Sequence, residues 1–490
     1  MGQAVDFLNS IIWSPVLVYL LLATGLYFSF ATRFMQIRHL KEMIRLLFGG
    51  QESEQGVSSF QAFALAVSGR VGTGNIAGVA TAIALGGPGA LFWMWVIAFL
   101  GAGSAFVESA LAQIYKVEID NQYRGGPSYY IEKGLGIKWY AVLFAVSSVV
   151  AMGFLLPGVQ ANSIASSVNT AFGLSPYITG AIIVILLGTI IFGGVHRMGK
   201  AAEILVPFMA GAYILVALII IVVNIAQLPA VFMLIIKSAF GVNAAFGGIL
   251  GMAISWGVKR GIYSNEAGQG TGPMAAGAAE VSHPAKQGLV QAFSVYIDTL
   301  FVCSATGFMI LLTGAYNVRD NVGGFIVENI PGVEYGPAYT QMAVDSFMPG
   351  FGSKFVAIAL FLFAFTTLMA YYYYAETCIV YLFKGGHHHK LVVNLMRFAL
   401  LAAIYYGAVR TASLAWGLGD VGVGLMAWLN IIAIILLRKP ALQSLKDYEE
   451  QKSQGLDPQY DSIKMGVKNA EFWEGGYKHH PDYKKHHHNV

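Results

Sequence analysis

The sequence predicts an all-α polytopic membrane protein with eleven transmembrane helices, of which the last ten form a five-plus-five inverted repeat. Three observations support this fold class. The 490-residue chain is 56% apolar and only 11% charged, with a mean hydropathy of +0.61, whereas soluble domains are about 25% charged. Apolar runs long enough to cross a bilayer recur along the chain. Two of these runs are interrupted by glycine-rich, charged stretches at corresponding positions of the two halves.

The predicted transmembrane segments follow one another from residue 11 to residue 437. The first, 11–31, has no basic leader and no clear cleavage site, which favours a retained helix over a signal peptide. The other ten segments are 60–85, 89–115, 139–172, 176–194, 202–227, 246–279, 287–316, 351–383, 391–409 and 414–437.

The basic residues between the segments predict the orientation. If the eleven helices are threaded alternately, the basic loops at 116–138, 196–200 and 384–390 all lie on one face, as expected for the cytoplasmic side. The loops at 86–88 and 173–175 carry no charge, and the 317–350 connection is net acidic. We therefore expect the amino terminus outside and the carboxyl terminus in the cytoplasm.

The regions that flank the repeats are predicted separately. Residues 1–56 hold the extra transmembrane helix and an amphipathic cytoplasmic helix with Arg33, Arg38, Lys41 and Arg45 at helical spacing. The repeats span 57–228 and 229–438. Residues 439–490 are polar and predict a disordered cytoplasmic tail. Histidines at 387–389 and 486–488 could bind a metal ion, although no carboxylate or cysteine completes either site.

The first interrupted segment contains Ser68, Arg70 and Asn75 among four glycines, SGRVGTGNIAG at 68–78. A membrane helix has no water to satisfy freed backbone groups, so such a break is tolerated only where it is buried in protein or lines a polar cavity. The loose helix ends carry partial charges that suit a small zwitterion and a cation.

The second interrupted segment, residues 251–273, is again glycine-rich and charged. When the first apolar run is set aside, the two broken helices are the first and the sixth of ten. Broken helices at corresponding positions of two halves predict an inverted-repeat secondary transporter with its site near the bilayer midplane.

The run GGPGALFWMWVIAFLG at 86–101 resembles the signature of the alanine or glycine:cation symporter family, the sodium:alanine symporters. The blocks 71–83, 264–268, 283–284, 287–288 and 297–300 also resemble that family, and the similarity extends over 16–438. It implies sodium-coupled uptake of alanine and glycine by alternating access across a prokaryotic inner membrane. VGTGN at 71–75 more distantly resembles the neurotransmitter:sodium symporters, which implies the LeuT-like fold of the APC superfamily.

The first break offers candidate ligands for a substrate carboxylate. The backbone amides of Gly72, Thr73 and Gly74 can receive an anion, because glycine permits close approach and a freed N–H favours negative charge. Asn75 and the Thr73 hydroxyl can add side-chain hydrogen bonds. The competing explanation for the glycines is close helix packing.

The second break and two other helices contribute further candidates. Ser264 and Asn265 can bind either the amino group or the carboxylate of the substrate, or they can simply cap the helix. Tyr263 would form an apolar wall. Gln160 lies in the middle of a predicted span, where an unpaired amide is costly; the resemblance implies that it faces the substrate, with an interhelical hydrogen bond as the alternative.

The resemblance also implies a sodium site. Its ligands would be the carbonyls of Ser68 and Val71 and the hydroxyls of Thr366 and Thr367, since a hard cation prefers oxygen. The alternative is that these hydroxyls bond their own helix. The family pattern commonly has a tryptophan a few residues further on; here Tyr371 would take its place in the pocket wall, which puts the substrate preference in doubt.

Charged residues inside predicted spans are functional candidates that need partners. We expect Arg70 to pair with a carboxylate such as Glu266 and to tie the two broken helices together, or to act as a fixed cation. Glu108 and Asp298 are expected to form the cytoplasmic gate with Lys259 or Arg260. These roles are hypotheses from sequence position alone.

Other functions fit the sequence less well. An intramembrane enzyme would need paired acid and base groups, and the carboxylates lie on different segments with no histidine in the spans. A channel and a proton-coupled symporter remain open, since Glu266 or Asp298 could carry the proton. Cys303 and Cys378 lie in apolar segments and predict no disulfide. No cofactor beyond the coupling sodium, no nucleic acid and no obligate protein partner is expected.

Overall fold

The computed structural model describes residues 2–48, 55–192, 194–243, 245–320, 322–383 and 387–474. The predicted histidine clusters fall outside this part of the chain, 486–488 entirely and 387–389 in their side chains. Helices dominate the described residues, and two short antiparallel hairpins complete them.

The amino-terminal half contains thirteen helices and one hairpin. The helices are α1 (Gly2–Ile12), α2 (Pro15–Ala31), α3 (Met35–Arg38), α4 (Leu40–Leu47), α5 (Ser59–Arg70), α6 (Val79–Gly86), α7 (Gly89–Ile114), α8 (Pro127–Tyr130), α9 (Lys138–Val150), α10 (Leu156–Phe172), α11 (Pro176–Ile191), α12 (Gly194–Val223) and α13 (Leu228–Ala239). Strands β1 (Val117–Ile119) and β2 (Gln122–Arg124) pair in the loop after α7.

The carboxyl-terminal half contains nine helices and a second hairpin. The helices are α14 (Leu250–Asn265), α15 (Gly272–Gly277), α16 (Pro284–Tyr296), α17 (Ser304–Thr313), α18 (Pro337–Asp345), α19 (Gly352–Phe383), α20 (His387–Ala408), α21 (Ala412–Leu436) and α22 (Arg438–Ser453). Strands β3 (Asn317–Arg319) and β4 (Phe325–Glu328) pair after α17.

Short π-helical segments, which are wider than an α-helix, occur at several places where helices join. The π-helical segments are Gly74–Gly78, Ile131–Leu135, Ala151–Leu155 and Ile297–Cys303, and single 3₁₀ turns occur at Gly247–Ile249 and Glu471–Trp473. One of these π segments lies between the first break and α6, and another joins α16 to α17. Such π segments are frequent at functional sites, and both of these lie beside the first break.

Seven continuous helices in the described residues are long and apolar enough to cross a membrane, and an eighth span is formed if the bent pair α1 and α2, with a 42° kink, is counted as one. Shorter apolar helices are Gly74–Gly86, Pro176–Ile191 and Leu228–Ala239. The chain is therefore a polytopic helical membrane protein. The predicted count of eleven exceeds the number of uninterrupted spans, because the two broken segments contain no long helix, α11 has only sixteen residues, and the first segment is the bent pair α1 and α2.

Both predicted breaks are present. α5 ends at Arg70, and the chain resumes as a π-helical turn at Gly74 after an irregular Val71 and Gly72. α14 ends at Asn265, and the left-handed residue Glu266 (φ 55°) begins a series of turns that lasts until α15. The breaks lie in the protein core, because every residue is buried in three stretches, namely 67–84, 257–258 and 260–285.

The prediction of a disordered tail is wrong for residues 438–474, which we call the carboxyl-terminal segment. It begins with α22 and returns across the ends of α7 and α16: Trp473 donates its indole N–H to the Gln113 carbonyl (2.7 Å), and the amide of Tyr460 donates to Ser282 O (3.0 Å). Four aromatic residues of the segment and buried Ser462 supply the packing that composition alone did not reveal: Tyr448, Tyr460, Phe472 and Trp473.

Acidic residues of α22 fasten the carboxyl-terminal segment to the amphipathic amino-terminal region. Glu449 accepts from Arg33 (2.5 Å), Arg38 (2.8 Å) and His39 (2.7 Å). Burial alone would raise the pKa of Glu449, but the hydrogen bonds from His39 and Arg38 outweigh burial and lower that pKa to about 2. The basic residues that were predicted to mark a membrane surface thus also dock α22.

Candidate functional site

The backbone amides of the first break point at side-chain oxygens. The Gly72 amide donates to Asn75 Oδ1 (2.8 Å) and the Thr73 amide donates to Gln160 Oε1 (3.0 Å). The Thr73 hydroxyl is buried and has no hydrogen-bond partner among the described residues. Two amides that were predicted to bind a carboxylate therefore each donate to one neutral amide oxygen. Gln160 forms an interhelical hydrogen bond at the break, and its contact with a substrate stays a prediction.

The second break is held by its own side chains. Ser264 donates to Asp298 Oδ1 (3.0 Å), whereas Asn265 accepts from the Ala267 amide (3.0 Å) and contacts Thr299 Oγ1 (3.3 Å). Ser264 is thus at the junction with the first break. Asn265 forms a local side-chain turn at the end of α14, in keeping with the capping alternative, and its role as a substrate ligand stays a prediction.

The two breaks meet directly, and Asp298 joins them. A Cβ atom on Gly74 would lie 3.0 Å from Ser264 Cα, so a larger residue would fit only if the two breaks moved apart by a few tenths of an ångström. Asp298 Oδ1 accepts from Asn75 Nδ2 (2.6 Å) as well as from Ser264. The prediction that Asp298 pairs with Lys259 or Arg260 is wrong, because its carboxylate is used between the breaks.

A set of oxygen atoms surrounds the end of α5. Thr367 of α19 donates its hydroxyl to Ser68 O (2.8 Å) and lies 3.4 Å from Val71 O. Three of the four predicted sodium ligands are therefore together. Thr366 is not among them, because its hydroxyl donates to Phe363 O (2.9 Å) and faces Met209 Sδ at 3.6 Å. Successive residues of a helix point about 100° apart, which separates the two threonines.

Arg70 does not form the predicted ion pair with Glu266. Its Nη1 donates to Gln291 Oε1 (3.3 Å) and to the Ser294 hydroxyl, while its Nε and Nη2 have no partner among the described residues. Glu266 accepts from Thr271 (2.8 Å) through one oxygen, and the other oxygen is unpartnered in the same part of the chain. Arg70 still lies against the second break, since a Cβ on Gly272 would be 2.5 Å from its Nη2.

Glu108 also differs from its predicted gating role. It accepts from the Gly268 amide (3.1 Å) and from Asn430 Nδ2 (2.7 Å), and Asn430 also donates to Gly268 O (2.9 Å). Glu108 therefore fixes the turn after Glu266 against α7 and α21. A backbone amide and a side-chain amide satisfy a buried carboxylate without a basic partner.

The partner of Lys259 and Arg260 is Asp420 of α21, which sequence reasoning missed. Arg260 makes two hydrogen bonds to the Asp420 carboxylate (2.8 and 3.0 Å), and Lys259 Nζ lies 2.7 Å from Asp420 Oδ2. Arg260 and Asp420 are 2% and 4% exposed. Asp420 is a charged residue inside a predicted span, and that signal alone would have made it a functional candidate.

Aromatic residues cover this ion pair. Trp416, one turn before Asp420, packs against Tyr263 with the ring centroids 4.9 Å apart. The Arg260 guanidinium lies over the Trp416 ring, 4.5 Å from its centroid. Gln160 Nε2 lies 3.4 Å from Tyr371 Oη. Tyr263 and Tyr371, both predicted as walls, are thus placed around the junction of the breaks, and Trp416 is an additional wall residue that the sequence did not single out.

Comparison with known proteins decides the family. The model of the sodium:alanine symporter family matches residues 1–462. The chain belongs to the sodium:alanine symporter family. Within the part of the chain that the structure describes, no group of three or more His, Cys, Asp or Glu side chains could hold a metal ion.

Three relatives show how similar this symporter-family chain is to named carriers. It is 66% identical to YrbD of Bacillus subtilis, over 98% of this chain and 99% of the relative, and YrbD is provisionally named a sodium/proton-dependent alanine carrier protein. It is 54% identical, over 89% of the chain and 98% of the relative, to the sodium/proton-dependent alanine carrier of Bacillus sp. PS3. It is 39% identical, over 91% and 97%, to the sodium/alanine symporter AgcS of Methanococcus maripaludis.

Proposed function

We propose that this chain is a secondary active transporter that carries small neutral amino acids, alanine and glycine first, into the cell together with sodium by alternating access. The names of its relatives support alanine as substrate and sodium, with or without a proton, as the coupling ion. The single observation that carries the proposal is the adjacency of an oxygen cluster and an amide pair at one helix break.

The oxygen cluster suits a sodium ion. The carbonyls of Ser68 and Val71 lie within 3.4 Å of the Thr367 hydroxyl. A hard cation binds carbonyl and hydroxyl oxygens of an unwound helix. The ion would be held directly before Gly72, where the substrate amides begin, so its positive charge would favour a carboxylate at those amides.

The amide pair suits the substrate carboxylate. The oxygens of Asn75 and Gln160 accept from the Gly72 and Thr73 amides at 2.8 and 3.0 Å. A carboxylate offers two acceptor oxygens that would replace these two amide oxygens, and charge-assisted hydrogen bonds are roughly twice as strong as neutral ones. Ser264 across the junction would contact the other end of the amino acid, and Tyr263 and Tyr371 would bound its side chain.

Alternating access needs closure on both sides of the breaks, and two buried ion pairs supply it. Arg260–Asp420 lies near the start of α21, where Trp13 also donates to Asp420 O (2.9 Å). Arg124 of β2 pairs with Glu376 of α19 (3.0 Å). This pair lies towards the other end of α21, because Tyr123, next to Arg124, packs on Phe472 of the carboxyl-terminal segment, which follows α21. Opening either side would require its ion pair to separate while the other holds.

We further propose the eleven-helix topology. The eight spans, the sixteen-residue α11 and the two broken helices, α5 with α6 and α14 with α15, give eleven. The extra helix and amphipathic region would cover 1–56, and the inverted repeats 57–228 and 229–438. The amino terminus would lie outside a prokaryotic inner membrane, and the carboxyl terminus in the cytoplasm.

Proton coupling is the second candidate. Glu266 is fully buried, and one of its carboxylate oxygens has no partner among the described residues. A buried carboxylate without a full set of donors favours the protonated form. Asp298 accepts from three side chains, Asn75, Ser264 and Thr299, so Glu266 is the better proton carrier of the two.

Uptake of labelled alanine into proteoliposomes tests these proposals. A sodium gradient should drive concentrative, saturable uptake, and replacement of external sodium by potassium should abolish it. Uptake driven equally by a proton gradient in sodium-free buffer would favour the second candidate. Alanine flux that does not saturate and needs neither gradient would indicate a channel, and no alanine flux under any condition would refute the transport proposal.

A further inference from the structure

The carboxyl-terminal segment lines an open cavity together with the end of the π-helical segment that precedes α9. Its volume is about 450 Å³. The walls come from three stretches that are far apart in the chain, namely 133–136, the first turns of α22 and 465–469, together with Tyr115. The cavity therefore exists only because the carboxyl-terminal segment is ordered.

The cavity is basic. Among its described lining residues are three lysines and no carboxylate, the lysines being Lys133, Lys439 and Lys468. Glu471 pairs with Lys133 from outside the lining. Lys439 and Lys468 are exposed, and neither forms an ion pair with another described residue. Two unneutralised ammonium groups around one concave surface favour an anionic ligand.

The walls of the cavity are fixed. Asn469 donates to the Lys133 carbonyl (2.9 Å), and Lys133 holds Glu471. A Cβ on Gly134 would lie 2.7 Å from Leu437 Cδ2 and 3.1 Å from the Tyr115 ring, so this segment packs closely on the end of α21. These contacts join the stretch 133–136 to the two other stretches that line the cavity.

The cavity lies between the end of α21 and the start of α9. Lys439 follows α21 by three residues, and Leu436 in the last turn of that helix is 54% exposed. Leu135 lines the cavity, and Trp139, four residues further on in the first turn of α9, is 71% exposed. Exposed tryptophan at a helix end is typical of the membrane interface. The helix ends beside the cavity therefore carry the features of the head-group region.

We propose that this cavity binds the phosphate head group of an anionic phospholipid. Anionic lipids are attracted to basic pockets between transmembrane helices at the positively charged face. The volume falls in the range of small-molecule sites, about 300 to 1,000 Å³, which accommodates a glycerophosphate. The occupied cavity would pin the carboxyl-terminal segment to the membrane-facing ends of α9 and α21. This inference does not depend on the transported substrate.

The test compares lipid-dependent thermal stability of the purified full chain. Phosphatidylglycerol, phosphatidylcholine and inorganic phosphate are titrated into the detergent-solubilised protein. The site variant is K439Q/K468Q. The matched control is K446Q/K464Q, which removes the same charge from α22 and the following loop but outside the cavity. All four lysines are exposed, so none of the substitutions disturbs the core.

We expect phosphatidylglycerol to raise the Tm of the wild-type and control proteins, with phosphatidylcholine having little effect. In K439Q/K468Q the phosphatidylglycerol concentration for half of the shift should rise roughly 25-fold, because each of the two lysines near the surface contributes a factor of about five. An equal loss in both variants would show diffuse surface charge and overturn the proposal. An equal shift with inorganic phosphate would assign the cavity to a soluble anion and also overturn it.

Discussion

The Thr367 hydroxyl of α19 donates to the carbonyl oxygen of Ser68, at 2.8 Å, and so joins a continuous helix to the last turn of a broken one. Val71 O lies 3.4 Å from the same hydroxyl. In ordinary helices a threonine hydroxyl donates to its own helix, and Phe363 O lies 3.0 Å from the Thr367 hydroxyl. Because the hydroxyl has one proton, donation to Ser68 O is an alternative to donation to Phe363 O. The shorter contact, with Ser68, places three candidate ligands around one point.

Thr367→Val should raise the sodium concentration for half-maximal alanine uptake by at least about tenfold, since one oxygen ligand of a buried cation is worth roughly the 1.5–3 kcal/mol of a charged hydrogen bond. The measurement is sodium-dependent uptake in proteoliposomes. Valine keeps the shape of threonine, so folding is little affected.

The adjacent Thr366→Val is the matched control for this prediction. Thr366 faces Met209 and its own helix, so its loss should change the sodium requirement less than about twofold. Equal effects of the two substitutions would contradict the sodium role of Thr367.

Gly74→Ala should abolish uptake, because the added methyl would lie 3.0 Å from Ser264 Cα and 3.2 Å from Ser264 Cβ and would force the two breaks apart. Gly211→Ala in α12 is the control, since nothing lies within 4 Å of the corresponding Cβ. Initial rates of alanine uptake, normalised to protein in the membrane, decide the matter. Normal uptake by Gly74→Ala would mean that the junction is not tightly packed.

The sequence predicted the breaks but not their partners. Glycines and charged residues within apolar runs predicted that Gly72 and Ser264 lie at helix breaks, because few other structures tolerate such residues inside a bilayer. The pairing of Arg260 with Asp420 was missed because the two lie 160 positions apart in the chain, and a charge pattern carries no information on which helices are neighbours. Thr366 and Thr367 could not be told apart, since that depends on the rotation of α19.

The tail was mispredicted for a different reason. Its composition is polar, yet Trp473, Tyr448 and Tyr460 are each fully buried. A few aromatic residues can order a polar segment when another part of the protein offers a ready surface, here the ends of α7 and α16. Composition averages over the segment and so conceals these anchors.

Asp420→Asn should destabilise the protein by about 3–5 kcal/mol, because it leaves the buried charges of Arg260 and Lys259 without a partner. We expect a lower Tm and loss of uptake. The triple variant K259M/R260M/D420L removes all three charges of the cluster and should recover most of the Tm without restoring uptake if the cluster is a gate. Recovery of uptake in the triple variant would instead indicate a purely structural cluster.

The carboxyl-terminal segment should loosen in acid. Hydrogen bonds hold the pKa of Glu449 at about 2, below its ordinary value of 4.5. The unfolded or released form takes up a proton first as the pH falls, so the stabilisation present above about pH 4.5 is lost progressively towards pH 2. Burial lowers the pKa of His283 although Asp447 opposes it, so release also becomes easier once the pH falls below the ordinary histidine value of 6.5.

A spin label at position 456, introduced by Leu456→Cys, reports this release; the native Cys303 and Cys378 are buried and should not react. Its mobility should increase between about pH 4.5 and 2. Glu449→Gln should make the label mobile already at pH 7, because a neutral amide cannot bind Arg38 and His39 as a carboxylate does. Glu450→Gln, one residue further on and with its side chain 60% exposed, should behave like the wild type. A label that stays immobile in Glu449→Gln would show that the aromatic anchors alone hold the segment.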